Sequence, residues 1–181
     1  MRFRKLIRIV VLLMMLSVLS ACTAQKNLED KKNILDLNGA SDEMKQIAEF
    51  LAENQDVHLA TVGSDGNPRI YTFQFCYFTN GRIYFMTSKA KPVYQELGST
   101  DRIEFIATSK DNTQSLRVRG KVNFDESYEL LDRVLTLYPN IKKIYISADN
   151  PDLTMFYIEH GDAQIYEFSD EHQEITLQYQ W

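Results

Sequence analysis

The sequence predicts a mainly β fold with peripheral helices, closing or nearly closing into a barrel. Three observations carry that prediction. Apolar and polar residues alternate in several short runs between Val57 and Phe168, the period of a strand that buries one face. Turn formers such as Asn80-Gly81 separate neighbouring runs, and such short connections make the strands antiparallel. Only two or three segments show a helical period, and a twisted sheet of about seven strands removes its edges by closing on itself. The chain of 181 residues is long enough for one domain with a proper core.

The elements follow in order. Arg2, Arg4, Lys5 and Arg8 form a basic head, and Ile9 to Leu19 is almost wholly apolar. That run is short for a bilayer span and suits a signal h-region. Leu19-Ser20-Ala21-Cys22 follows and resembles the lipobox of bacterial lipoproteins, which implies cleavage before Cys22 and lipid on its sulfur. Residues 1–21 are therefore expected as a lipoprotein signal peptide, 22–40 as a tether, 41–170 as the barrel domain and 171–181 as a C-terminal tail. Ser41 reads as an N-cap with Asp42 and Glu43 in the first turn. Met44, Ile47, Ala48 and Leu51 then fall on one helical face, ending near Asn54. Strands are expected at Val57–Val62, Arg69–Phe78 and Arg82–Ser88. A short helix opens at Pro92 and ends near Leu97, with Gly98 as its cap. Strands Arg102–Thr108 and Ser115–Phe124 come next, then a helix from Glu126 to Tyr138, stopped by Pro139. Ile141 to Ile146 reads as a further helical turn. Leu153–Glu159 and Ala163–Phe168 are expected to form a last hairpin across His160-Gly161-Asp162.

Charge and cysteine content narrow the functions. Loss of the leader removes four positive charges and takes the formal net charge from −5 to −9. An acidic domain is a poor nucleic-acid binder. It is also repelled by anionic lipid, so attachment to a membrane rests on the lipid at Cys22. Stable anchoring takes two acyl chains, which the diacylglycerol thioether implied by the lipobox supplies. Only Cys76 remains, so no intramolecular disulfide forms, and its apolar strand context reads as a small buried hydrophobe.

The order of short motifs carries a wider resemblance. Leu59-Ala60-Thr61-Val62 is followed by a turn closing on Asn67-Pro68-Arg69, then Phe73-Gln74-Phe75 and Asn80-Gly81-Arg82-Ile83-Tyr84-Phe85. Thr87-Ser88, Lys91, Val93-Tyr94-Gln95-Glu96-Leu97 and Leu116-Arg117-Val118-Arg119-Gly120-Lys121-Val122 complete it. From Glu43 to Phe168 the chain resembles the pyridoxamine 5′-phosphate oxidase-like family, the FMN-binding split β-barrels, and looks closest to the nitroimidazole-reductase-like branch. The resemblance implies a homodimer with FMN in clefts between two barrels and the flavin phosphate at the end of the third strand. Hydroxyls on Thr87 and Ser88, ammonium groups on Lys89 and Lys91 and the Pro92 helix start would form that anion site. Lys91 matches the basic position of the family. Relatives commonly carry Arg-Pro-Phe where this chain has Tyr71-Thr72-Phe73. Arg69, two residues from Tyr71 and on the same strand face, is expected to compensate, with Tyr71 donating through its hydroxyl and backbone groups of Thr72 and Phe73 meeting the flavin edge. Ser115 lies near where relatives contact flavin from a neighbouring strand. A solvated turn is the ordinary reading of Lys89 and Lys91 without the resemblance.

His58, His160 and His172 show no metal-ligand spacing, and no nucleophile-and-base set or glycine-rich phosphate loop appears. The chemistry expected is the flavin's: a surface-anchored oxidoreductase that reduces a small molecule. The competing readings are a non-catalytic flavin- or haem-binding lipoprotein and an adhesive lipoprotein on a barrel scaffold.

Overall fold

A computed structural model describes residues 33–100, 102–169 and 172–181. The leader and Cys22 lie outside the described residues. Ile34–Trp181 forms one compact unit.

Ser41 starts the first helix as its composition predicts: its Oγ accepts from the Met44 N–H at 3.2 Å, and α1 runs Asp42–Glu53 with Ile47, Ala48 and Leu51 buried. Seven strands follow: β1 Asp56–Val62, β2 Pro68–Thr79, β3 Arg82–Ser88, β4 Arg102–Thr108, β5 Gln114–Asp125, β6 Leu153–Phe168 and β7 Gln173–Gln180. Asn80 and Gly81 both take positive φ (52° and 72°), the conformation that matches a two-residue hairpin to strand twist. The helix α2, Pro92–Ser99, lies between β3 and β4, and α3, Tyr128–Leu137, and α4, Pro139–Tyr145, lie between β5 and β6. The short helix ends two residues later than expected: Gly98 lies inside α2 and Thr100 caps it, its N–H bonded to the Glu96 carbonyl.

All pairings are antiparallel, in the order β3-β2-β1-β4-β5-β6-β7. β3 also pairs with β6, which closes the first six into a barrel. The interior is aromatic. Phe85 meets the rings of Phe73, Phe75, Phe105 and Phe156 at centroid distances of 5.3 to 6.5 Å.

Three expectations are corrected. The hairpin across His160-Gly161-Asp162 is instead one bent strand, β6. β5 pairs with it on both sides of the bend, from Gln114↔Glu167 to Asp125↔Met155, with a register shift between Arg119 and Lys121. His160, at φ 52°, sits at a bulge that turns the strand without ending it. The C-terminal tail is β7, paired to the second half of β6 from Asp162↔Gln180 to Phe168↔Gln173. The tether also ends earlier than expected. Ile34 is buried, Leu35 bridges to Phe78, and Asp36 N–H donates to the Phe78 carbonyl at 2.8 Å.

Candidate ligand seam between β2 and β3

The barrel is zipped at one end of the β2–β3 seam only. β2 pairs with β3 from Phe75↔Phe85 to Thr79↔Arg82. Its first half, Pro68–Gln74, pairs with β1 on one side and, among the described residues, with no strand on the other. Antiparallel backbone groups alternate sides. Phe75 N–H donates to Gln55 O and Gly63 N–H to Asn67 O, both on the β1 side. By that alternation the N–H and C=O of Thr72 and Gln74 face the open seam.

A cavity of about 210 Å³ occupies this opening. Thr72, Gln74 and Cys76 line it from the outer face of β2, and Tyr71 and Phe73 from the inner one. Met86, Lys91, Val93 and Ile141 complete the wall. Four residues expected from the sequence, Tyr71, Thr72, Phe73 and Lys91, thus come together. Lys91 is the N-cap residue of α2, and its side chain makes no capping bond. Lys91 thus brings the start of α2, where an anion is favoured, to the cavity wall.

The other expected residues fall elsewhere. Arg69 forms an ion pair with Asp65 at 2.8 Å. The Asn67 side-chain hydrogen bond first, and Arg69 next, hold that carboxyl below its ordinary range, and Asp65 in turn holds the guanidinium above its own. Lys89 pairs with Glu126, which raises its pKa. Ser88 is buried, and its Oγ accepts from the Ala90 N–H at 3.2 Å in the turn. Thr87 is 2% exposed, opposite Thr154 on β6, and its Oγ1 has no hydrogen-bond partner among the described residues. Ser115 is buried on β5, which neighbours β4 and β6 and not β2 or β3. Within the closed barrel it is separated from the seam by β4 and β1 on one side and by β6 on the other.

Tyr71 donates its hydroxyl to Glu96 Oε1 at 3.0 Å, while Thr61 Oγ1 donates to Glu96 Oε2 at 2.6 Å. Burial and the Glu96 carboxylate both raise the Tyr71 pKa. The phenol is thus spent on fastening α2 to the barrel. Glu96, Gln74, Met86 and Ile141 were not among the expected site residues. Alternation alone places Gln74 on the outer face with Thr72. Ile141 reaches the seam because the Tyr138 hydroxyl, just before α4, donates to the Cys76 carbonyl at 3.0 Å.

The residues fit a flavin mononucleotide by chemistry: a lysine at a helix start, with no ion pair among the described residues, for the phosphate, an open strand edge for the ring's donor and acceptor edge, and Phe73 with Met86 for its apolar body. The cavity is smaller than the range of roughly 300–1,000 Å³ usual for a cofactor-sized ligand.

Barrel, seam and cavity define a split β-barrel with a ligand position at its opening. The model of one family, described as pyridoxamine 5′-phosphate oxidase, matches residues 44–165. The chain belongs to that family, whose members bind flavin. Solved structures agree. A NimC/NimA family protein from Clostridium acetobutylicum is 26% identical, with a TM-score of 0.66 over 76% of this chain and 92% of that one. A protein from the same organism, related to general stress protein 26 of B. subtilis, is 16% identical, with a TM-score of 0.54 over 77% and 96%. A pyridoxamine 5′-phosphate oxidase-related, FMN binding protein from Nostoc punctiforme is 14% identical, with a TM-score of 0.51 over 77% and 98%. No curated protein matches.

Proposed function

We propose that this chain is an FMN-binding oxidoreductase that reduces a small molecule, works as a homodimer, and is held at the extracytoplasmic face of a cell membrane by lipid on Cys22. The observation that carries the reading is the seam. Lys91 stands uncommitted at the cavity while Arg69 and Lys89 are both ion-paired elsewhere. Lys91 and the start of α2 would hold the phosphate. The backbone of Thr72 and Gln74 would meet the ring edge, and Phe73 and Met86 would exclude water from one side of it. Bound there, the flavin would supply transfer of one or two electrons to the substrate.

Dimerisation has its own support. The seam cavity is too small to enclose a flavin alone, so a second surface must cover it. The outer face of β2-β1-β4 carries Ile70, 74% exposed, beside exposed Val62 and Ile106, an apolar strip a second copy would bury.

The test is an absorption spectrum of the purified protein after incubation with FMN and removal of unbound flavin, paired with sedimentation velocity. Flavin bands on a dimer are expected. A colourless protein overturns the flavin reading, and a coloured monomer overturns the dimer.

A further inference from the structure

Two walls face each other across the seam cavity, and no strand ladder among the described residues sets the distance between them. One wall is the open half of β2, and the other is α2, which brings Lys91 and Val93 to the cavity. Elsewhere in the barrel, backbone hydrogen bonds fix the spacing of neighbouring strands. Between the open half of β2 and α2 that task falls to side chains.

α2 rests on the barrel through Val93 and Leu97, 2% and 1% exposed, and through Tyr94, whose ring lies 4.8 Å from that of Phe124. Apolar burial holds the helix down but has no direction of its own. The directional contacts come from one residue. Glu96 takes the Tyr71 hydroxyl of β2 on Oε1 and the Thr61 hydroxyl of β1 on Oε2. Among the described residues no other side chain of α2 hydrogen-bonds to a strand. Glu96 is half-buried and Thr61 buried, and bonds to an ionised acceptor are the strong ones. With one oxygen on each strand, the carboxylate pins α2 to the β1–β2 pair. Tyr71 immediately precedes Thr72, so the pinned point lies beside the open edge. The charge of Glu96 has the wrong sign for an anion at Lys91, where the same helix starts. Attraction to the ligand therefore does not account for this acid, whereas its two bonds do.

We infer that Glu96 is a positioning residue that sets the gap between the open edge of β2 and the start of α2, and so favours ligands that span both. The inference rests on the proposed flavin site. A ligand that grips two walls gains from their separation being fixed, because its second contact forms at a high effective concentration. A ligand that grips one wall gains nothing from it. FMN spans the two, with its ring at β2 and its phosphate at α2, whereas riboflavin lacks the group that would reach Lys91.

Flavin fluorescence titrations of the purified protein test this. Glu96→Ala is expected to weaken FMN about tenfold or more and riboflavin less than about twofold. Removal of an acid near the phosphate would by charge alone tighten FMN, so the sign of the change separates position from electrostatics. Glu96→Gln keeps an acceptor for one hydroxyl and should fall between parent and alanine. Thr61→Val removes one of the two bonds from a residue outside the cavity wall, and it should weaken FMN and spare riboflavin even where Glu96→Ala does not fold. Hydrogen exchange should quicken along α2 in Glu96→Ala and stay as in the parent along β7. FMN binding by Glu96→Ala as tight as the parent's, or tighter, overturns the inference. Equal losses for FMN and riboflavin overturn it as well, since they mark a general loss of the fold. A parent that binds no flavin overturns the proposed function and this inference with it, whereas a parent that binds FMN beside an unaffected variant overturns this inference alone.

Discussion

Replacing Lys91 by glutamine separates the seam from the ordinary turn that the same residues otherwise suggest. Three cations were candidates for a phosphate. Arg69 is held by Asp65 and Lys89 by Glu126, which leaves Lys91 at the cavity wall. A hydrogen bond to a charged group contributes about 1.5–3 kcal/mol, which is roughly 12- to 160-fold in Kd. Lys91→Gln should therefore weaken FMN binding by more than about tenfold. Riboflavin, which lacks the phosphate, should bind the variant and the parent alike. Lys89→Gln, which only frees an exposed Glu126, should change FMN affinity by less than about twofold. Quenching of flavin fluorescence on titration measures all of these. Rising salt should weaken FMN and spare riboflavin, because the added term is electrostatic. Equal losses for both ligands, or an equal loss from Lys89→Gln, would refute the assignment of Lys91 to the phosphate.

Other outcomes follow from the fold. Phe85→Ala removes the ring at the centre of four aromatic contacts and should cost about 3–5 kcal/mol in urea unfolding, or roughly 6–20 °C in Tm. Gly161→Ala would place a Cβ 2.6 Å from the Trp181 ring and 2.8 Å from the Arg119 carbonyl. A loss of about 1–3 kcal/mol is expected, with faster hydrogen exchange along β7. Burial pushes the Tyr84 phenol up to about 12 and raises Tyr77 and Tyr138 as well. The unfolded chain gives up these protons near pH 10. The stability that they confer is complete below that pH and is lost as pH rises toward the folded values, by about 1.4 kcal/mol per unit for Tyr84 alone. Denaturant melts between pH 9 and about 12 check this, and Tyr84→Phe should flatten the decline.

What the sequence made legible was local. Val57, Leu59 and Thr61 alternate inward along β1, Asn80-Gly81 makes the expected hairpin, and Ser41 caps α1, because each depends on neighbours within a few residues. β6 was misread for a physical reason. His160, Gly161 and Asp162 are good turn formers, yet β5 pairs past them on both sides, and that long-range ladder overrides the local preference. β7 was read as a tail because its sequence, QEITLQYQ, buries little beyond Leu177. Its place comes from pairing with β6, which no short window contains. At the site, Lys91 and the Tyr71–Phe73 run were legible as motif positions. Whether each neighbouring cation was free or committed was not, since Asp65 and Glu126 are assigned to Arg69 and Lys89 only by the folded geometry.

A seam open at one end divides the duties of the residues around it. Those on the zipped half, from Phe75 to Phe85, answer to the core and tolerate little change. Those on the unzipped half, Thr72 and Gln74, pair with β1 alone and, among the described residues, meet no strand on the seam side, so side-chain substitution there leaves the barrel's ladders whole. Mutation can therefore retune what is held without endangering the scaffold that holds it. A lineage built on this architecture has room to trade one guest for another while its framework stays fixed.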